Sequence, residues 1–559
     1  GSFPAPPSPP ILLSDIEREL LATHDTRLGL DPRAQIAHER YFAYIACTRS
    51  RTRLVLSCAA ATADGKPLQP SPILAQVQGL FPGLELEQFS TTPDWRDAEH
   101  TEELIQPLLR ALATTPAASA TDTRETTALL SLATLPPLAP GIARWQELIA
   151  SQSVGVLSPA AVAQLYGTEL ATSVSKLEQF AECPFKFFVA AGLRAEERKE
   201  FEMDHRERGS FLHRLLDEFH RRLVPSGRRW RDLTSSEAAE LAAALGEELL
   251  ASPEFALFAA DVARQFAARS LIASAQRLLA ALAGWFPAYA FDPIAVELGF
   301  GLPGSTLPAW RLDLGEGHGL ALRGRIDRVD LHRDGNSGET LAVVLDYKSS
   351  PKKLDRFKIE HGLQLQLLAY LNVLRNVPAA LLATSGARLE VPEAASTPTG
   401  PELQPHVRPA GVFYVPLHGA SAGSGGRAEI VSEDEAGRRV AYQHTGRFEF
   451  ADLAHFDRRL DGQASGQFRY RLNKAGELIA RGSDALPHQE WAALLKQVEE
   501  NLRRLGQAIF AGEVQVAPVR LGASDKACDR CDYRAICRFD PWVQSYRVLP
   551  RTAAREEAA

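Results

Sequence analysis

The order of secondary-structure signals from residue 173 to residue 416 predicts an α/β fold. Three observations carry the prediction. A capped, aromatic-rich helix opens the region near Ser173, where Ser175 and Glu178 have the spacing of a capping box. Three apolar strand-like runs follow at 294–300, 319–331 and 341–347, separated by turn formers such as Asp334-Gly335-Asn336. A helix at about 362–374 then precedes a last strand at 411–416. Helix, three strands, helix, strand is an α/β order.

The flanking elements can be read in the same way. Residues 11–82 carry helical patterns and then a strand, Arg53-Leu54-Val55-Leu56-Ser57, with a polar turn at Asp64-Gly65. The Ala-, Thr-, Leu- and Pro-rich stretch 91–171 carries no motif and is expected to be a helical connector. A charged helical region runs to Arg231, and Ala-rich helices to about Phe286 suit a buried layer. Segments 385–406 and 419–428, rich in Pro, Gly, Ser and Ala, read as surface insertions. The expected domains are 1–90, 91–171 and 172–559.

Composition narrows the class. At 559 residues and 61.0 kDa the chain exceeds one ordinary core, so two or more domains are expected. No apolar run reaches the roughly 20 residues of a membrane helix and no secretory signal opens the chain, so a soluble cytoplasmic protein with no membrane contact is expected. Gly1 and Ser2 read as a remnant of cloning and the single methionine, Met203, is internal, so the chain is expected to be part of a longer protein. A formal charge of -7 does not advertise nucleic-acid binding, but screening confines each charged patch to its own neighbourhood. Only 11 of the 62 basic residues are lysines, yet Lys348, Lys352, Lys353 and Lys358 fall in one short segment, which fits a phosphate-tracking surface beside a catalytic strand.

The run Leu341-Ala-Val-Val-Leu-Asp346-Tyr347-Lys348 is a buried strand that ends in charge. Side chains two apart share a face, so Asp346 and Lys348 point together and Tyr347 away. Upstream, Asp327 interrupts the apolar run Gly324-Arg-Ile-Asp327-Arg-Val-Asp330, and a hairpin would set it beside Asp346. Two carboxylates so placed suit Mg2+ or Mn2+, and a lysine beside them can hold an attacking water, the division of labour that phosphodiester hydrolysis needs. A lone D-x-K reads by default as a salt bridge at a strand end; companions reverse that reading. They are His213 in Arg208-Gly-Ser-Phe-Leu-His213, and Gln366 with Tyr370, which are four apart and so share a helix face. Glu297, in Ile-Ala-Val-Glu297-Leu-Gly-Phe, is a site residue or an outward strand carboxylate, and ranks last.

Taken in order, G-x-x-x-H, G-x-x-D, D-x-K and Q-x-x-x-Y resemble the RecB-like branch of the PD-(D/E)xK nuclease superfamily. The resemblance implies its core, a mixed sheet flanked by helices. It also implies Asp327 and Asp346 as metal ligands, the Tyr347 carbonyl and His213 as further ligands, Lys348 as the catalytic lysine, and Gln366 and Tyr370 as an assisting pair.

Cysteines narrow it further. Cys183 stands far from Cys528-x-x-Cys531-x5-Cys537, and in an intracellular protein four such thiols suit zinc or an iron-sulfur cluster, with spacing alone unable to choose. The single-plus-three arrangement looks like that of iron-sulfur nucleases such as the AddB subunits of bacterial AddAB helicase-nucleases, which implies a [4Fe-4S] cluster closing a loop of about 345 residues. Residues 39–57 likewise look like the last motif of superfamily I helicases, although no G-x-x-x-x-G-K-[ST] loop occurs and no ATPase activity is expected. The resemblance implies a metal-dependent exonuclease acting on single-stranded DNA with an AddA-like partner in double-strand break repair. Its rivals are a stand-alone iron-sulfur exonuclease and a non-catalytic DNA-binding scaffold.

Overall fold

The computed structural model describes residues 13, 15–24, 29–60, 67–87, 94–114, 123–144, 155–196, 205–377, 407–419, 440–459, 466–522, 525–529, 531–541 and 544–550. They fall into two compact units, one within residues 1–153 and 540–544, the other within 154–539 and 545–559.

The first unit is helical: α1 (Asp15–Thr23), α2 (Pro32–Thr48), α3 (Pro72–Leu80), α4 (Ile105–Thr114) and α5 (Thr123–Ser131). Asp31 and Ser71 cap α2 and α3, each ahead of a proline at the first turn, where a missing N–H costs nothing. Leu108, Leu129, Leu138 and Ile142 form a small core. The strand expected at 53–57 is not formed. Leu54, Val55 and Leu56 are exposed, and among the described residues no neighbouring strand offers them a ladder. Asp64, Gly65 and the insertions at 385–406 and 420–428 lie outside the described residues.

The second unit holds the sheet. In chain order it contains α6 (Pro159–Tyr166), β1 (Glu169–Thr172), α7 (Val174–Glu182), α8 (His205–Leu223), α9 (Ser235–Leu250), α10 (Val262–Trp285), β2 (Asp292–Phe300), β3 (Trp310–Gly315), β4 (His318–Leu322), β5 (Gly324–Arg333) and β6 (Thr340–Lys348). There follow α11 (Arg356–Glu360), α12 (Gln366–Arg375), β7 (Arg408–Pro416), β8 (Thr445–Glu449), β9 (Ala485–Leu486), α13 (His488–Phe510), β10 (Val519–Arg520) and β11 (Arg547–Val548). A mixed six-stranded sheet runs β2-β5-β6-β7-β8-β9, with β6 and β7 parallel and β5 antiparallel to β2 and β6. The α/β class expected from the sequence is the class observed.

Three local readings need correction. The single run 319–331 is two strands: β4 pairs with β1 and β3 in a small separate sheet, and the chain leaves it at Arg323, whose N–H bonds Thr172 O, to enter the main sheet as β5. The helix expected from 362 begins at Gln366, because Gly362 sits at φ +80°, outside the helical region that an L-residue tolerates. Ser173, not Ser175, caps α7, through its Oγ on Lys176 N, and Glu178 is used elsewhere.

Alternation along β6 sorts the core onto two faces. Ala342 and Val344 pack with Leu367 and Leu371 of α12 and with Leu495, Val498 and Leu502 of α13. Leu341, Val343 and Leu345 pack on the other side with Phe211 and Leu215 of α8 and with Leu278 and Leu282 of α10. Each of the valines, leucines and the phenylalanine contributes about 1.5–3 kcal/mol by burial, so the middle of β6 is held rigidly and its polar end is aimed.

Candidate active site

β5 and β6 form a hairpin whose turn is tied by Asp334, which accepts from Asn336 N, Ser337 N and the Ser337 hydroxyl. Their register sets Arg328 opposite Leu345, which carries the next residues, Asp327 and Asp346, to the same place. Asp327 Oδ2 accepts from Tyr347 N at 2.8 Å. Burial first, and the adjacent Asp346 second, push the Asp327 carboxyl up to about 7.

Asp346 is 1% exposed, and its Oδ2 is buried without a hydrogen bond of normal geometry. Lys348 Nζ lies 2.5 Å from that oxygen as an ion pair. The short distance and the missing hydrogen bond describe one contact, a charge pair with poor alignment. Burial alone would lower the Lys348 pKa, but Asp346 and Asp327 outweigh it and raise the net value, so the ammonium stays charged.

His213 reaches these carboxylates from α8. Its Nδ1 is 2.9 Å from Glu297 Oε1 and 3.8 Å from Asp327 Oδ2. Burial opposes protonation of the ring, and the Glu297 hydrogen bond and the Asp327 charge reverse the balance, so its pKa is raised. Glu297 itself stands at φ +53° inside β2, between the register pairs Val296 with Arg328 and Leu298 with Ile326. A non-glycine residue in the left-handed region within a strand is strained, and such strain collects at functional sites.

His213, Glu297 and Asp327 offer ligand atoms that all lie within 4.8 Å of one another. Of the ligands implied by the sequence, His213 and Asp327 therefore meet, joined by Glu297, which sequence alone ranks last. Its only signal there is a lone carboxylate in an apolar strand. Asp346 is turned to Lys348. The Tyr347 side chain lies on the opposite face, where its hydroxyl accepts from Arg328 Nη1 at 3.4 Å.

Gln366 and Tyr370 meet as expected, with Gln366 Nε2 donating to the Tyr370 hydroxyl at 3.0 Å. Burial, and then the charges of Asp346, Asp327 and Glu178, raise the Tyr370 pKa, so the phenol keeps its proton. Among the lysines, Lys352 Nζ sits 5.0 Å from the ring centroid of Tyr414, which pairs with Asp346 across β6 and β7. Burial and Lys348 lower the Lys352 pKa. Lys353 is exposed, and Lys358 pairs with Asp525 at 3.1 Å.

Away from the carboxylates, Cys183, Cys528, Cys531 and Cys537 line one small cavity together with Phe185, Lys186 and Tyr533. Burial raises the Cys528 thiol to about 11, with the other three cysteines adding to the shift. The described residues contain no helix long and apolar enough to cross a membrane.

Comparison with known proteins identifies the family. The model of the PD-(D/E)XK nuclease superfamily matches residues 171–538. Over 98% of its length the chain is 31% identical to the B subunit of the ATP-dependent helicase/deoxyribonuclease of Moorella thermoacetica, covering 46% of that protein. Proteins of the same name from Symbiobacterium thermophilum and Desulforamulus reducens are 30% and 28% identical over 99% and 98% of the chain, each covered to 46%. The chain thus spans just under half the length of these curated relatives. With the family model covering most of the chain and the carboxylates and lysine of the neighbouring strands β5 and β6 gathered together, this protein belongs to the PD-(D/E)XK nuclease superfamily.

Proposed function

We propose that the chain is a divalent-metal-dependent deoxyribonuclease that hydrolyses single-stranded DNA, acting as the nuclease part of a helicase-nuclease subunit alongside an AddA-like partner. The observation that carries the reading is the cluster of His213, Glu297 and Asp327 beside the ion pair of Asp346 and Lys348. Buried carboxylates that crowd one another beside a histidine suit a hard cation such as Mg2+ or Mn2+. His213, Glu297, Asp327 and Asp346 would hold it. When bound, it supplies charge to a phosphate oxygen.

The chain's own residues divide the remaining work. Lys348, kept charged by the two aspartates, orients the attacking water and faces the charge that grows on the phosphoryl oxygens. Asp346 holds the lysine in place. Tyr370, oriented by Gln366, donates a hydrogen bond to phosphate. Lys352, braced on Tyr414, neutralises a neighbouring phosphate, with Lys353 and Lys358 further along the strand path.

The cysteine pocket is assigned to a [4Fe-4S] cluster with a structural role. Zinc with bonds of about 2.3 Å would draw its thiolates to within roughly 4 Å of one another. Among the described residues no three of the cysteines hold their sulfurs within 4.8 Å of one another. Iron and sulfide analysis of the purified chain decides between the two.

Digestion of labelled single-stranded DNA with Mg2+ tests the nuclease. Wild type is expected to cut, and Asp346→Ala to lose at least about a hundredfold in rate while remaining folded. A folded, cluster-containing wild type that cuts nothing with Mg2+ or Mn2+ would leave the scaffold reading in its place.

A further inference from the structure

The helix that carries Gln366 and Tyr370 begins without a cap of its own. The residue at its N-cap position is Leu365, whose side chain accepts no hydrogen bond, and the first N–H groups of a helix need an acceptor from elsewhere. The acceptor comes from 187 residues earlier in the chain. Glu178 Oε1 receives Leu365 N at 2.6 Å and Gln366 N at 2.8 Å. A carboxylate also complements the positive end of the helix dipole.

Glu178 stands on α7, whose Leu177, Phe180 and Ala181 are buried in the same core as Leu365 and Leu367. It is therefore braced by packing on both sides of its own position. Burial raises its pKa, while the two N–H groups it accepts from favour the charged carboxylate, and one of them belongs to Gln366, whose side chain bonds Tyr370. Five residues later the same helix ends at Cys183, one wall of the cysteine cavity.

We infer that Glu178 is a positioning residue of the nuclease centre: its carboxylate fixes the first turn of α12 and so sets the Gln366–Tyr370 pair against Asp327 and Asp346. This rests on the nuclease reading above. An oxygen acceptor of that reach is what the position requires, so glutamine should serve where alanine fails.

The test uses the full chain. Glu178→Ala is expected to lower kcat by about tenfold to a hundredfold with KM for DNA little changed, the usual loss when the group orienting an active-site residue is removed. Amide exchange at Leu365 and Gln366 should quicken, while iron content is held and stability falls only by the small amount that a lost helix cap costs. Glu178→Gln should restore kcat. Adding Gln366→Ala to Glu178→Ala should cost nothing beyond Gln366→Ala alone, because both act through the same pair.

The inference fails if Glu178→Ala keeps full kcat, if glutamine does not rescue, or if the two losses multiply. Should the alanine variant not fold, Glu178→Asp, one methylene too short, carries the same expectations. Asp346→Ala that cuts like wild type would overturn the nuclease reading itself. Unchanged exchange at Leu365 and Gln366 would overturn the positioning role alone.

Discussion

Asp327 and Asp330 lie three residues apart on β5, on opposite faces of one sheet, and burial raises the pKa of both. Their surroundings could hardly differ more. Asp330 receives Arg328 Nε and Nη2 at 2.6 Å each and the Tyr289 hydroxyl at 3.1 Å, and the guanidinium lies 4.8 Å from the Trp230 ring centroid. Asp327 faces a second carboxylate, a histidine and a strained glutamate. On one face Asp330 and Arg328 are matched to each other. On the other, carboxylates crowd one another, and that crowding is what a cation can relieve.

The contrast yields predictions of decreasing size. Replacing Asp330 with Ala strips a buried arginine of its partner and should cost about 3–5 kcal/mol in denaturant unfolding. Asp327→Asn should do the reverse, removing cleavage by about a hundredfold or more while leaving the metal-free protein at least as stable as wild type. If both aspartates gave the same pattern, the division between the faces would be wrong.

A finer cut separates strain from ligation. Glu297→Gly relieves the left-handed backbone and removes a carboxylate. Stability should hold or rise while the Mg2+ concentration needed for half-maximal cleavage increases. A variant that unfolds would show the glutamate to be structural.

Acid should attack the matched face. Burial and Arg328 depress His220 to about 4, and burial depresses His444 to about 3. Each is neutral in the fold but takes up a proton near 6.5 once unfolded, so the unfolded chain binds more protons in that window. Their stabilisation is complete above about pH 6.5 and declines as pH falls toward about 4. In urea titrations across that range, His220→Gln should flatten the slope. The smallest effect belongs to Tyr289→Phe, which removes one of the hydrogen bonds on Asp330 and should cost about 1–3 kcal/mol with cleavage unchanged.

The sequence discloses the two faces unequally. Asp346 and Lys348 are legible because a strand alternates and the apolar run before them leaves no doubt about its register. Gln366 and Tyr370 are legible because four residues span one helical turn. Glu297 is not, since its backbone conformation, rather than its spacing, turns it into the cluster. Glu178 reads as a local cap because sequence shows only near neighbours, and its true partners lie in a helix formed far downstream. The break at Arg323 is hidden because apolar alternation continues across it while the strand changes sheets.

The cysteine cavity also has a consequence in time. Ribosomes deliver Cys183 first and its companions Cys528, Cys531 and Cys537 only about 345 residues later. By then His213, Glu297, Asp327, Asp346 and Tyr370 have all been made. The proposed site is thus written into the nascent chain well before the cysteine pocket can close, and a ribosome stalled after Tyr370 would release a polypeptide with every residue of that site and only one of the four cysteines.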